Sequence, residues 1–161
     1  MIVTTPFITD ANLQEFMPDI LQMGVLTFAQ QNLRASNDVY DRLVNDWWAQ
    51  AIIRGPYVGV ATTNDGAFPG RLPPLIVSLL NTPLLAPLVS YRALGRYIMP
   101  MLSGDADANG DMFSRRAERY TRFYNEEWER VITGDLYDFN RDGNFTLADR
   151  LPPYGRRVKR A

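Results

Sequence analysis

"MFSRRAERYTRFYNEEWERVIT", residues 112–133, places Phe113, Ala117, Tyr120, Tyr124, Trp128 and Val131 three or four positions apart. A helix turns once in about 3.6 residues, so these side chains share one face and can be buried together. Arg115, Arg119, Arg122, Glu118, Glu126 and Glu129 populate the other faces, where opposite charges one turn apart support a solvated helix. Asp111 is placed to cap the start, and Gly134 ends the pattern.

The same reading extends toward the N-terminus. Thr27 and Gln30 have capping-box spacing, and apolar residues from Phe28 through Leu33, Val39, Tyr40, Leu43, Trp47, Trp48 and Ile52 predict a long helix reaching Gly55-Pro56. Adjacent Trp47 and Trp48 point to different sides of it, so at most one can be central to a single core face. Before it, Thr9 or Asp10 can cap "ANLQEFMPDIL", where Leu13, Phe16, Ile20 and Leu21 predict one or two short helices, with Pro18 a kink or a fresh start and Gly24 a turn. Thr82 with Pro83 at the first position predicts a further helix with Leu84, Leu85, Leu88, Val89, Tyr91, Leu94, Tyr97 and Ile98 on its core face, ending near Pro100. Residues 57–74, "YVGVATTNDGAFPGRLPP", read as a long surface loop with one brief alternation, and loops of this length are often functional. The expected fold is all-α: a small helical bundle with one long loop and an extended C-terminal tail, "LPPYGRRVKRA". Residues 1–134 form the helical domain, and residues 135–161 form a cation-loop-like segment followed by the basic tail.

Composition narrows the chemistry. A chain of 161 residues fits one ordinary domain. It contains no Cys and no His, which removes the usual zinc sites, thiol nucleophiles, Ser-His-Asp triads and imidazole acid–base catalysis. The net charge of −1 gives no global pull toward nucleic acid or an anionic membrane. The start lacks a basic segment followed by an apolar run, so no signal peptide is expected. The apolar stretch at 72–91 is broken by Pro73, Pro74, Pro83 and Pro87 and makes a poor membrane span. Glu126, Glu127 and Glu129 have neither a phosphate loop nor a nucleophile elbow beside them, and the expectation is a protein that is not an enzyme.

The stretch "YDFNRDGNFTLAD", residues 137–149, follows the spacing of an EF-hand loop. With Asp138 at position 1, Asn140 stands at 3, Asp142 at 5, Gly143 at 6, Asn144 at 7, Thr146 at 9 and Asp149 at 12. Alternate oxygens converge on a hard cation only if the residue at position 6 takes a sharp turn, and Phe145 would pin the loop to the core. Asp138, Asn140, Asp142, Asn144 and Asp149 are the candidate ligands, and Ca2+ is the cofactor they would take. Asp149 is shorter than the usual Glu, and Pro152-Pro153 forbids an exiting helix, so the match is to half an EF-hand. The alternative is a set of Asx-turns around Gly143 without a metal. A second stretch, "DADANGD" at 105–111, begins in the same way but meets Arg116 at the twelfth position, which marks it as a loop leading into the next helix.

Two basic features complete the inventory. Tyr120, Phe123, Tyr124 and Trp128 interleave with Arg115, Arg116, Arg119 and Arg122, a pattern open to nucleic-acid stacking, though helical core spacing accounts for the aromatics better. Arg150, Arg156, Arg157, Lys159 and Arg160 concentrate charge at the C-terminal end, either solvated or ordered on an acidic partner or on DNA phosphates, with Val158 as a small apolar anchor.

The stretches "FMPDILQMGVLTFAQQNLRASNDVYDRLVNDWW", "SYRALGRYIMPML" and "RRAERYTRFYNEEWERVITGDLYDFNRDGNFT", with the "RRVKR" ending, occur in an order that resembles the small helical head-to-tail adaptor proteins of tailed bacteriophages, also called head completion or connector proteins. The likeness covers most of the chain and lies in order and texture. It implies a structural virion protein of the head–tail neck, assembled in the host bacterial cytoplasm as a ring of about twelve copies between the portal protein and a stopper or tail-terminator protein. DNA would pass through the ring without sequence-specific binding, and no membrane would be involved. The resemblance also implies that Arg156, Arg157, Val158, Lys159 and Arg160 dock on the portal, and that loop 57–74 touches the ring or the next component. The alternative is a calcium-dependent interaction module built on a single EF-hand or dockerin-like loop.

Overall fold

The computed structural model describes residues 3–54, 74–103, 110–138 and 143–145. These form an all-α fold: α1 (Asp10–Phe16), α2 (Ala29–Arg42), α3 (Ala49–Arg54), α4 (Thr82–Arg92), α5 (Met99–Leu102) and α6 (Gly110–Ile132). Single π-helical turns, Leu43–Trp48 and Ala93–Ile98, join α2 to α3 and α4 to α5, and short 3-10 turns occupy Ile20–Gln22 and Val77–Leu79. The long loop expected at 57–74 lies outside the described residues except for Pro74. The tail "LPPYGRRVKRA" and most of "DADANGD" lie outside them as well.

The chain divides into two compact units, one formed by Met1–Asp41 with Thr82–Gly134 and the other by Arg42–Asn81 with Asp135–Ala161. In the first, α6 lies along α4, the π-helical turn after it and α5, while α1 packs on α4. Leu13, Phe28, Leu85, Leu88, Leu94 and Val131 have essentially no exposed surface. The expected stripe of α6 is present: Tyr124, Trp128 and Val131 are buried, and Phe113, Ala117 and Tyr120 are partly so. Where α4 runs on into its π-helical turn, Gly95 lies against α6 so closely that a Cβ there would stand 3.1 Å from the backbone nitrogen of Thr121 and 3.2 Å from the carbonyl oxygen of Ala117.

Several local expectations change. Instead of a Thr27–Gln30 capping box, the carboxylate of Asp10 in α1 closes the start of α2. It accepts hydrogen bonds from the Thr27 hydroxyl (2.7 Å), the Phe28 N–H (3.2 Å) and the Asn32 side-chain amide (3.0 Å). An ionised acceptor forms stronger bonds than the Gln30 amide would, and it also suits the positive end of α2. A box does form at Thr9, where Asn12 Oδ1 accepts from the Thr9 N–H (2.9 Å) and hydroxyl (3.1 Å). Helix α4 takes in Thr82 itself, which moves Pro83 to the second position. The helical path ends at Leu102, close to the expected Pro100, and reaches it through the π-helical turn and α5. Helix α6 starts at Gly110, which puts Asp111 in the first turn rather than at the cap.

Polar residues on the inner face of α2 hold the non-helical N-terminal segment. Buried Ser36 accepts from the Phe7 N–H (2.9 Å), while Asn37 accepts from the Val3 N–H (2.8 Å) and donates to the Val3 carbonyl (3.1 Å).

Asp10→Ala removes three bonds at one helix start and should lower unfolding free energy by about 1–3 kcal/mol in urea denaturation, with Asp10→Asn losing less; wild-type stability in the alanine variant would contradict this role. For Gly95→Ala, a gain in helix propensity of about 1 kcal/mol competes with overpacking of about 1–3 kcal/mol against backbone that cannot step aside. The expected net result is a lower midpoint of thermal unfolding, and a higher one would show that α4 and α6 can separate freely.

Candidate metal centre

Asp138 opens the EF-hand-like loop from a fixed backbone position. Its N–H donates to the Leu79 carbonyl (2.9 Å), and the Asn81 N–H donates to the Leu136 carbonyl (2.9 Å), which makes a short antiparallel bridge between Leu80 and Tyr137. The Asn81 side-chain amide adds a bond to the Asp135 carbonyl (2.9 Å). The 3-10 turn at Val77–Leu79 brings these acceptors into line, and the partnerless N–H groups of an isolated segment are satisfied. Next to Asp138, the ring of Tyr137 lies 4.9 Å from that of Trp48, and both side chains are buried.

The Asp138 side chain is only 3% exposed. Its Oδ2 accepts a 2.8 Å hydrogen bond from the Gly143 N–H, and its Oδ1 is buried with no hydrogen-bond partner among the described residues. Gly143 has φ of +80°, the left-handed conformation expected at the sixth loop position. Phe145 is partly buried, as a loop pinned at its eighth position requires. Of the predicted ligands, the structure places Asp138 and Asn144; Asn140, Asp142 and Asp149 lie outside the described residues. Arg156, Arg157, Val158, Lys159 and Arg160 lie outside them too. Among the described residues no three acidic side chains converge. The bridge to Leu79 and the Trp48–Tyr137 pair carry no signal in local sequence, because their partners are distant along the chain. Of the two tryptophans, Trp48 is the buried one and Trp47 is partly exposed.

The aromatic residues of α6 divide by burial. Tyr124 and Trp128 belong to the core and are closed to a nucleic-acid base. Tyr120 and Phe123 sit in a half-buried cluster with Phe16 and Tyr91: Phe16 meets Tyr91 edge-on at 4.9 Å, Tyr91 lies 5.5 Å from Phe123, and Arg119 covers the Phe123 ring at 5.1 Å. Beside it, Asp38 of α2 accepts from Arg92 Nε (2.8 Å) and from the Tyr97 hydroxyl (2.8 Å), and the Arg92 guanidinium stands 5.2 Å from the centre of the Tyr124 ring. These contacts are intramolecular packing and ion pairing, so the cluster accounts for its own residues.

Burial is the main cause that pushes the hydroxyls of Tyr40, Tyr91, Tyr97 and Tyr120 above the ordinary 10.0, and the hydrogen bond to Asp38 adds to it at Tyr97. The folded state therefore holds these protons more tightly than the unfolded chain. Stability from this source is complete below pH 10.0 and is lost as pH rises through the higher folded-state values. Ultraviolet titration of the folded protein should show Tyr40, Tyr91, Tyr97 and Tyr120 ionising above 10.0, and Tyr97→Phe should remove one hydroxyl from that late phase; ionisation of these four at 10.0 would contradict the burial described.

None of the described helices is long and apolar enough to cross a membrane. No protein-family model, no curated protein and no solved structure matches the chain.

Proposed function

We propose that the protein is a structural virion component without catalytic activity, an adaptor subunit that joins the portal of a phage head to the stopper or tail and continues the DNA channel. The observation that supports this reading is the sequence resemblance, whose three stretches take in α2, the path from the last turn of α4 through α5, and most of α6. Helix α6 packs along α4, the π-helical turn after it and α5, a side-by-side arrangement of the kind a ring lining a DNA channel needs, and polar outer faces leave room for contacts between copies. In this reading the basic tail docks on the portal, and the loop at Asp138 sets the direction in which the tail leaves the last helix.

Coexpression of the full chain with the portal protein encoded in the same genome, followed by electron microscopy, tests the proposal. The expected result is a ring seated on the portal, formed with or without added calcium, and removal of residues 156–161 should abolish the seating while leaving the helical circular dichroism unchanged. A chain that stays monomeric and never binds the portal would overturn the adaptor reading.

A further inference from the structure

We propose that Met101, in α5, is a site of reversible oxidation by hydroperoxides, and that Gln31 of α2 holds the sulfoxide oxygen that results. This inference does not depend on the adaptor reading. The chain contains six methionines and no cysteine, so thioethers are its only sulfur groups. Burial separates them. Met17 and Met99 are 7% and 0% exposed, whereas Met101 and Met112 are 44% and 41% exposed. Met99 and Met101 lie two positions apart on one short helix and therefore point to different sides, the first into the core and the second toward solvent.

A donor distinguishes Met101 from Met112. The Gln31 side-chain amide, in the first turn of α2, donates to Met101 Sδ at 3.5 Å across 70 residues of sequence. A thioether is a weak acceptor, and this bond engages one sulfur lone pair and leaves the other for an oxidant. That lone pair attacks one peroxide oxygen, and the S–O bond forms as the O–O bond breaks. The hydroxide released takes the proton of the transferred hydroxyl and departs as water, so the sulfur is oxidised by two electrons and the peroxide is reduced by two. The product carries a polar oxygen, which inside an apolar core would lack a partner and disrupt packing. At Met101 it meets water on one side and an amide donor already in place on the other, and it accepts a stronger hydrogen bond than the thioether did. Oxidation here tightens the contact between α2 and α5 rather than breaking it. Methionine sulfoxide reductases reverse the step, so the site can cycle.

Treating the full chain with dilute hydrogen peroxide and following each methionine by peptide mass spectrometry tests the site. Met101 and Met112 should oxidise about tenfold or more faster than Met17 and Met99. The role of Gln31 is tested in a Met112→Leu chain and in the same chain carrying Gln31→Leu, with far-UV circular dichroism recorded for both. In the first chain oxidation should shift the Gln31 side-chain amide resonances, and reductase treatment should restore them. Oxidation should also raise Tm by about 1–3 °C more in the first chain than in the second. The proposal is overturned if Met101 oxidises no faster than Met99, if the Gln31 resonances do not move or do not return, or if the two folded chains show the same change in Tm.

Discussion

Backbone outside a helix or sheet must still find hydrogen-bond partners when it is buried, and in this all-α chain short polar side chains provide them. Asp10 takes the Phe28 N–H and the Thr27 hydroxyl, which fixes the angle between α1 and the start of α2. Ser36 and Asn37 hold the N-terminal segment along α2, and Asn81 binds the Asp135 carbonyl ahead of the bridge at Tyr137. Each of these side chains acts between segments distant in sequence, so together they do much of what strand pairing does in other folds. The apolar core drives collapse without direction, whereas these bonds select one arrangement of the connecting segments.

The same requirement is met only in part at Asp138. It is held by its backbone and by the Gly143 N–H, and its other carboxylate oxygen is buried without a donor among the described residues. Asn32 Oδ1 and the Ser90 hydroxyl are also buried without partners, but they are neutral groups on helices and desolvating them costs far less than desolvating a carboxylate. The charged group is also the one that opens a loop of oxygen-bearing residues.

The features legible in sequence were those fixed by local periodicity. The stripe through Tyr124, Trp128 and Val131 and the split between Trp47 and Trp48 follow from 3.6 residues per turn, and the turn at Gly143 follows from loop spacing. What sequence hid depended on distant partners. The Thr27–Gln30 spacing was a true local signal, but a carboxylate from α1 outcompetes it. Asn32 and Ser36 look misplaced on an apolar face until the N-terminal segment and Asp10 lie against them. The π-helical turns leave apolar spacing at three or four and so leave no mark, although one of them lets the helical path continue past Pro100. The candidate ligands at Asp138 and Asn144 were legible as a pattern. The burial of Asp138 was not, because it follows from the bridge to Leu79 and Leu80.

Hydrogen exchange of the Phe28 amide, followed by NMR, tests the central claim most directly. The account predicts an amide that is protected in the natural chain through its bond to Asp10 and loses that protection in Asp10→Ala, while amides within α6 keep theirs. Equal protection of Phe28 in the two chains would contradict it.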